Sequence, residues 1–291
     1  MNRRNFLATL TVGTAGLALG RWSPSASAES AFAVELGVST FFEKHTALKN
    51  AGFQYIEENV ERVLVPKDGN EEFEKIRRSV AIASLPVYAC AGFIPSDMKI
   101  VGPQVKMDVL LRYVEIVFRR AERIGVKRIV LGSGKSREIP EGFARERAVE
   151  QLVEFGKTIA PLAQMHSVIV VLEQLQRSEC NFINRVDEGI AIVEAVDHPN
   201  FQQHADIFHM LRVGEGHESL VKAGARLKHC HIATKKSRKA PGMEEDDFRP
   251  YFKALKQIGY RGGISIESGW KDFPAEVPKA YRVLRQQLDS A

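Results

Sequence analysis

Eight short runs of apolar and β-branched residues alternate with longer helical segments along almost the whole chain, and this alternation constrains the fold most strongly. Runs such as VIVVLE (168–173) are apolar almost without a break, which is typical of parallel strands buried on both faces. The eight predicted strands are residues 34–39, 53–58, 86–92, 127–133, 168–173, 201–208, 227–233 and 262–267.

Segments with a helical spacing of apolar residues separate the predicted strands. The clearest helices are 71–83, 105–125, 141–164, 247–259 and 275–288, with shorter ones around 45–51 and 218–223. Gly52, Gly125 and Gly259 each stand just before a strand, where a left-handed helix cap is expected. Eight strand–helix units in about 250 residues predict an α/β fold with a single (β/α)8 TIM barrel rather than a doubly wound sheet.

The first 28 residues have the pattern of an export signal. A twin arginine, Arg3 and Arg4, precedes an apolar stretch, and the segment ends in an A-x-A cleavage site at Ala28. We therefore predict a cleaved twin-arginine signal over 1–28, a barrel domain over 29–291 and a periplasmic location. Because the apolar stretch is shorter than the ~20 residues that span a bilayer, no stable membrane anchor is expected.

Charge and cysteine content exclude two other classes of protein. The formal net charge is +5, but the signal alone contributes three arginines and no acidic residue. The densest basic run, 235–239, contains no aromatic residue, so no nucleic-acid partner is expected. The three cysteines are odd in number and far apart, which argues against a disulfide scaffold. A homo-oligomer stays open.

Metal-capable residues end each of the last four predicted strands. They are Glu173, Asp206, His231 and Glu267. Strand ends meet at one rim of a barrel, and carboxylates with one imidazole suit a hard divalent cation, so we predict one metal site there. His204 and His229 stand two residues before Asp206 and His231, deeper along their strands, and are expected to be buried beside the site rather than to bind the metal.

Several segments around these residues resemble a known family. The segments SVIVVLEQLQRSECNFINRV, HADIFHML, HCHIATKKSRKAPG, DFRPYFKALKQIGYRGGISIE and VLGSGKSREIPEGF resemble the xylose isomerase-like barrels of sugar phosphate isomerases and epimerases, which include tagatose 3-epimerase. The resemblance implies one ion of manganese, cobalt or magnesium at the four positions, with Glu173 and Glu267 as the acid/base pair. It also implies that His209 and Arg238 bind substrate oxygen. Arg238 follows His231 by seven residues, where the epimerase pattern has six.

The chemistry of such a site favours a sugar isomerase or epimerase. A cation on a hydroxyl and the adjacent carbonyl stabilises the enediolate that forms when the neighbouring C–H proton leaves. One carboxylate then removes the proton and another returns it from the opposite face, which inverts the carbon. The expected substrate is a small carbohydrate.

The remaining loops are predicted to form the sugar pocket. The residues predicted to bind substrate, besides His209 and Arg238, are Glu58, Ser133, Lys135 and Trp270. Polar side chains would bind sugar hydroxyls, and an aromatic ring would cover an apolar ring face. Lys135 and Arg137 are alternatively phosphate ligands or solvated loop charges.

Two further functions remain open. Exported relatives of the family include lyases and hydratases that act on 3-keto sugars or 3-keto-glycosides, and these enzymes share the enediolate step. A non-catalytic sugar-binding barrel is less favoured, because both acid/base glutamates are present. A nuclease of the endonuclease IV type is excluded, since its zinc cluster needs histidines from early strands and only His45 precedes His166.

Overall fold

All eight predicted strands are present, and each pairs in parallel with the next one along the chain until β8 closes the barrel against β1. The computed structural model describes residues 34–291, so the predicted export signal lies outside the described residues. The strands are β1 Glu35–Ser39, β2 Tyr55–Asn59, β3 Val87–Ala91, β4 Arg128–Leu131, β5 Ile169–Leu172, β6 Phe201–Asp206, β7 Leu227–Ile232 and β8 Gly263–Ile266. The predicted (β/α)8 TIM barrel is confirmed.

Helices connect successive strands. They are α1 His45–Ala51, α2 Val60–Val63, α3 Asn70–Ala81, α4 Met107–Ile124, α5 Gly134–Arg137, α6 Arg145–Met165, α7 Val186–Val196, α8 Ile207–Val213, α9 Glu218–Ala223, α10 Arg249–Gln257 and α11 Phe273–Asp289. All seven helices predicted from periodicity are present. Among residues 34–291, no helix combines the length and the apolar character needed to cross a membrane.

Both faces of the central strands are buried, which explains their continuous apolar sequence. Val170, Val171 and Leu172 of β5 are all inaccessible to solvent. The core continues into the layer between strands and helices and includes the three cysteines, which are free and buried. Polar residues collect inside the barrel instead, since Glu57 of β2 contacts His229 of β7 across strands that are not neighbours.

The predicted end of β6 differs from the observed one, and the reason concerns the site. The sequence indicated a strand over 201–208, but β6 ends at Asp206 and α8 begins at Ile207. The Asp206 carboxylate accepts a hydrogen bond from the Phe208 N–H at 2.7 Å and thereby caps α8. The apolar residues after Asp206 therefore belong to a helix that starts immediately at the rim.

The glycines before the strands adopt the backbone that their positions require. Gly125 ends α4 with a φ of 96°, and its N–H donates to the Ala121 carbonyl at 2.9 Å. Gly52 and Gly259 have φ values of 107° and 62°. A left-handed cap of this kind favours glycine, because a Cβ crowds the following carbonyl oxygen.

Replacing Gly125 tests this cap. No atom lies within 4 Å of the position of an added Cβ, so Gly125→Ala isolates the backbone cost, which we expect to be about 1–2 kcal/mol. Gly125→Asn should lose less, because asparagine tolerates the left-handed region. Urea unfolding of both variants measures the difference in the free energy of unfolding. An asparagine variant that is less stable than the alanine variant would contradict this explanation.

Candidate metal centre and active site

The rim at the carboxyl ends of the strands carries a four-residue cluster from β5 to β8. Its members are Glu173, Asp206, His231 and Glu267, the set predicted from sequence, and their ligand atoms all lie within 4.8 Å of one another. The imidazole of His231 is central, because its Nδ1 lies 3.3 Å from Glu173 Oε1 and 3.2 Å from Glu267 Oε2. The closure of the barrel thus brings four distant sequence positions together.

The two carboxylate oxygens of Asp206 have different hydrogen-bonding roles. Its Oδ1 accepts from the N–H groups of Phe208 and His209 at the start of α8. Its Oδ2 is buried and accepts no hydrogen bond within the described chain, although His209 Nε2 lies 3.3 Å away. A buried carboxylate oxygen without a donor is costly, and a cation ligated there would offset that cost.

Burial and like charges shift the pKa values of the cluster. Burial and the Glu173 charge raise the pKa of Asp206 to about 8, and burial also raises the pKa of Glu173. Burial alone would raise the pKa of Glu267, but His231 and the Arg238 guanidinium lower it to about 2. Three carboxylates this close repel each other, and a divalent cation is the ligand that relieves the repulsion. The donor set therefore fits a hard divalent ion with one nitrogen ligand.

Residues outside the cluster hold Glu173 and Asp206 in place. A Cβ added to Gly132 would lie 2.2 Å from Glu173 Oε2, so the glycine leaves room for that carboxylate. The fully buried Arg137 donates from Nε to the Gly132 carbonyl and from Nη2 to the Glu173 carbonyl, both at 2.7 Å. Arg137 is therefore not available to bind a phosphate. This result contradicts the alternative in which Lys135 and Arg137 are phosphate ligands. The Gln174 side chain donates to the Asp206 carbonyl at 2.9 Å.

The two predicted oxygen-binding residues border the cluster. His209 is buried, and burial together with the Arg238 charge lowers its pKa to about 3, so it is neutral near pH 7. Arg238 Nη2 lies 2.6 Å from Glu267 Oε2, and its guanidinium stacks on Phe208 at 4.8 Å. Arg238 lies in a tight turn, where it has a φ of 50° and donates its N–H to the Thr234 carbonyl.

The other predicted substrate-binding residues have partners outside the cluster. Glu58 is buried, accepts from the Phe42 and Asn59 N–H groups and pairs with Arg62. Ser133 Oγ accepts from the Ile94 N–H, and Lys135 is exposed and pairs with Glu138.

Trp270 packs against Phe273 with ring centroids 5.0 Å apart. Its indole N–H is buried and makes no hydrogen bond among residues 34–291. Of the four pocket residues predicted beside His209 and Arg238, Trp270 is the one with a buried polar atom that makes no hydrogen bond to the described residues. Glu58 and Ser133 use their oxygens to support local backbone.

The structure adds two acidic residues that sequence reasoning did not assign to the site. Glu179 lies 3.1 Å from Arg238 Nη1 and 3.8 Å from His209 Nε2, in the irregular loop after β5. Glu57 lies beneath the cluster, where its Oε1 is 2.6 Å from His231 Nε2. Burial raises the pKa of Glu57, but the His231 and His229 rings lower it well below its usual value. The carboxylate is therefore ionised.

The model of the xylose isomerase-like TIM barrel family matches residues 46–287. The chain belongs to this family. Within the family, an L-ribulose 3-epimerase from Methylomonas sp. (strain DH-1) is 33% identical over 192 residues, which are 65% of this chain and 64% of that protein. A D-psicose 3-epimerase from Ruminiclostridium cellulolyticum is 34% identical over 119 residues, 40% of each chain. The matched part thus spans less than two thirds of either relative.

Two solved structures have the same fold. The apo 3-keto-D-glucoside 4-epimerase from E. coli superposes with a TM-score of 0.73 at 20% identity, covering 89% of this chain and 100% of that chain. A D-allulose 3-epimerase from Methylomonas sp. superposes with a TM-score of 0.73 at 21% identity, covering 87% and 97%. At this identity the likeness concerns the fold.

The helix-capping role and the predicted metal-binding role of Asp206 can be separated by substitution. Asp206→Asn keeps an oxygen that caps α8, so we expect metal-free stability to be retained, whereas Asp206→Ala should lose about 0.5–2 kcal/mol. Both variants should bind Mn²⁺ more than about 100-fold more weakly, since loss of an outer-shell partner alone costs 10–100-fold. Urea unfolding without metal and Mn²⁺ titration measure the two effects. An asparagine variant that binds Mn²⁺ like the wild type would contradict the ligand assignment.

Proposed function

We propose that this protein is a divalent-metal-dependent sugar epimerase that inverts a carbon beside the carbonyl of a ketose. The observation that carries the proposal is the pair of carboxylates, Glu173 and Glu267, that approach the same His231 nitrogen from β5 and from β8. The similarity to named ketose 3-epimerases supports the same reaction class.

The proton transfers are assigned to the two glutamates. One of them removes the proton from the substrate carbon, and the other returns a proton to the opposite face. Glu267 is about one third exposed at the mouth of the site, whereas Glu173 is almost fully buried. Carboxylates that reach the carbon from different strands can act on opposite faces of it, as inversion requires.

Neighbouring residues bind and orient the sugar in this proposal. The neutral His209 and the Arg238 guanidinium donate to substrate oxygens, and Glu179 holds Arg238 in place at 3.1 Å. Glu173, Asp206, His231 and Glu267 would hold the divalent ion, which supplies Lewis-acid polarisation of the carbonyl when bound. Manganese, cobalt and magnesium remain the expected ions.

A second candidate follows from the sequence of the first 28 residues. The twin arginine and the A-x-A site support the proposal that the protein is exported to the periplasm. A periplasmic enzyme is exposed to glycosides and their oxidised derivatives rather than to free intracellular ketoses. The second candidate is therefore a lyase or hydratase of 3-keto-glycosides, in which the same carboxylates assist loss or addition of water.

Isotope exchange separates the two candidates. The Mn²⁺-loaded protein is incubated in deuterated water with D-fructose, L-ribulose or a 3-keto-glucoside, and the products are analysed by mass spectrometry. We expect a ketose product with unchanged mass apart from one deuterium. A mass change of one water, or release of an aglycone, would support the lyase instead.

Glu173→Gln is the matched test of the proton-transfer pair. It keeps the shape of the side chain and should lower turnover by about 10²–10⁴, the usual contribution of general acid/base catalysis. The control is Glu154→Gln, an identical change at an exposed position of α6. Near-normal turnover in Glu173→Gln would refute the assignment.

A further inference from the structure

A hydrogen-bonded network lies directly beneath the four-residue cluster, inside the barrel. Glu57 of β2 is its centre and is inaccessible to solvent. Its Oε1 lies 2.6 Å from His231 Nε2, and its Oε2 accepts from Ser265 Oγ at 2.7 Å and lies 2.7 Å from His229 Nε2. Tyr55 Oη lies 2.9 Å from Ser265 Oγ. Three strands thus meet at one carboxylate that provides no atom to the cluster above.

The two nitrogens of His231 face different partners. Nδ1 faces Glu173 and Glu267 and makes no hydrogen bond among the described residues, whereas Nε2 contacts Glu57. An imidazole that binds a metal ion through one nitrogen is neutral and carries its proton on the other. If Nε2–H donates to Glu57, then Nδ1 presents a lone pair to the cluster, which is the form that binds a metal ion.

The ring of His231 is also restrained from the side. The buried His204 packs against it edge to face, with ring centroids 4.2 Å apart. Turning the ring over would break the hydrogen bond to Glu57. The orientation of the ring is therefore set by side chains beneath and beside the cluster.

The three histidines His204, His229 and His231 lie close enough to be considered as a metal site of their own. The Nε2 atoms of His229 and His231 are each in short contact with an oxygen of Glu57, which argues against that interpretation. Two ligands of one tetrahedral ion are about 3.3 Å apart when the bonds are about 2.0–2.1 Å long. The 2.6 and 2.7 Å separations between Glu57 and the two Nε2 atoms are those of direct hydrogen bonds.

We propose that Glu57 is a positioning residue, which holds His231 in the Nε2–H tautomer so that Nδ1 is directed at the ion bound above it. The inference rests on the proposed metal-dependent function. Glu57 neither binds the ion nor touches the substrate. Its negative charge also makes His231 a stronger donor to a cation.

Glu57→Gln tests the proposal, because it keeps the shape but removes the charge. We expect Mn²⁺ affinity to fall about 10–100-fold while the metal-free fold, followed by circular dichroism, is retained. Ser265→Ala is the matched control, since it removes one partner of Glu57 but leaves the contact with His231. We expect it to change Mn²⁺ affinity by less than about threefold.

Nitrogen-15 NMR of the Mg²⁺-loaded protein provides a readout that loss of packing alone would not change. In the wild type, we expect a proton on Nε2 of His231 and none on Nδ1. A proton on Nδ1 would overturn the proposal even if Glu57→Gln failed to fold. So would a Glu57→Gln variant that binds Mn²⁺ like the wild type.

Metal content separates this inference from the function on which it rests. Elemental analysis of the loaded wild type should give one ion per chain. Two ions, one of them lost in Glu57→Gln, would make Glu57 a ligand and refute the positioning role only. A wild type that binds no divalent ion would overturn the proposed function and this inference together.

Discussion

The position of one imidazole, His231, organises the functional end of the barrel. Its Nε2 contacts a buried carboxylate below, and its Nδ1 faces two carboxylates at the rim. These partners come from β2, β5 and β8, so the arrangement exists only because the eight strands close on themselves. An open sheet would leave β2 and β7 far apart.

The charges in this arrangement distinguish it from the surrounding hydrophobic core. Three carboxylates lie around one histidine, and burial together with the Glu173 charge raises the pKa of Asp206 to about 8. Contacts with neighbouring residues hold these charged groups in place. Arg137 and Gln174 anchor the backbone of Glu173 and Asp206, and Gly132 leaves space for a carboxylate. Clusters of ionisable groups with shifted pKa values are typical of functional sites.

The sequence predicted what depends on periodicity and on strand ends. The eight strands followed from buried apolar runs, and the four clustered residues followed because each comes at the end of such a run. The sequence could not distinguish Glu57 from Glu58, since both lie near the end of β2 and only the register of the barrel decides which one points inward. Alternation alone leaves that choice open.

Residues in irregular segments were harder to assign. Glu179 reaches Arg238 from a loop after β5, and Arg137 is turned into the core by the short helix α5. Neither position follows from a repeating pattern. Lys135, two residues before Arg137, is exposed and pairs with Glu138. Loop contacts of this kind depend on backbone turns that periodicity does not encode.

The location of a bound ion tests the central claim most directly. Crystals of the protein soaked in Mn²⁺ would be measured for anomalous scattering at the manganese edge. The account predicts one peak, at roughly 2.0–2.3 Å from oxygens of Glu173, Asp206 and Glu267 and from Nδ1 of His231. No peak at this rim, or a peak among His204, His229 and His231 Nε2, would contradict it.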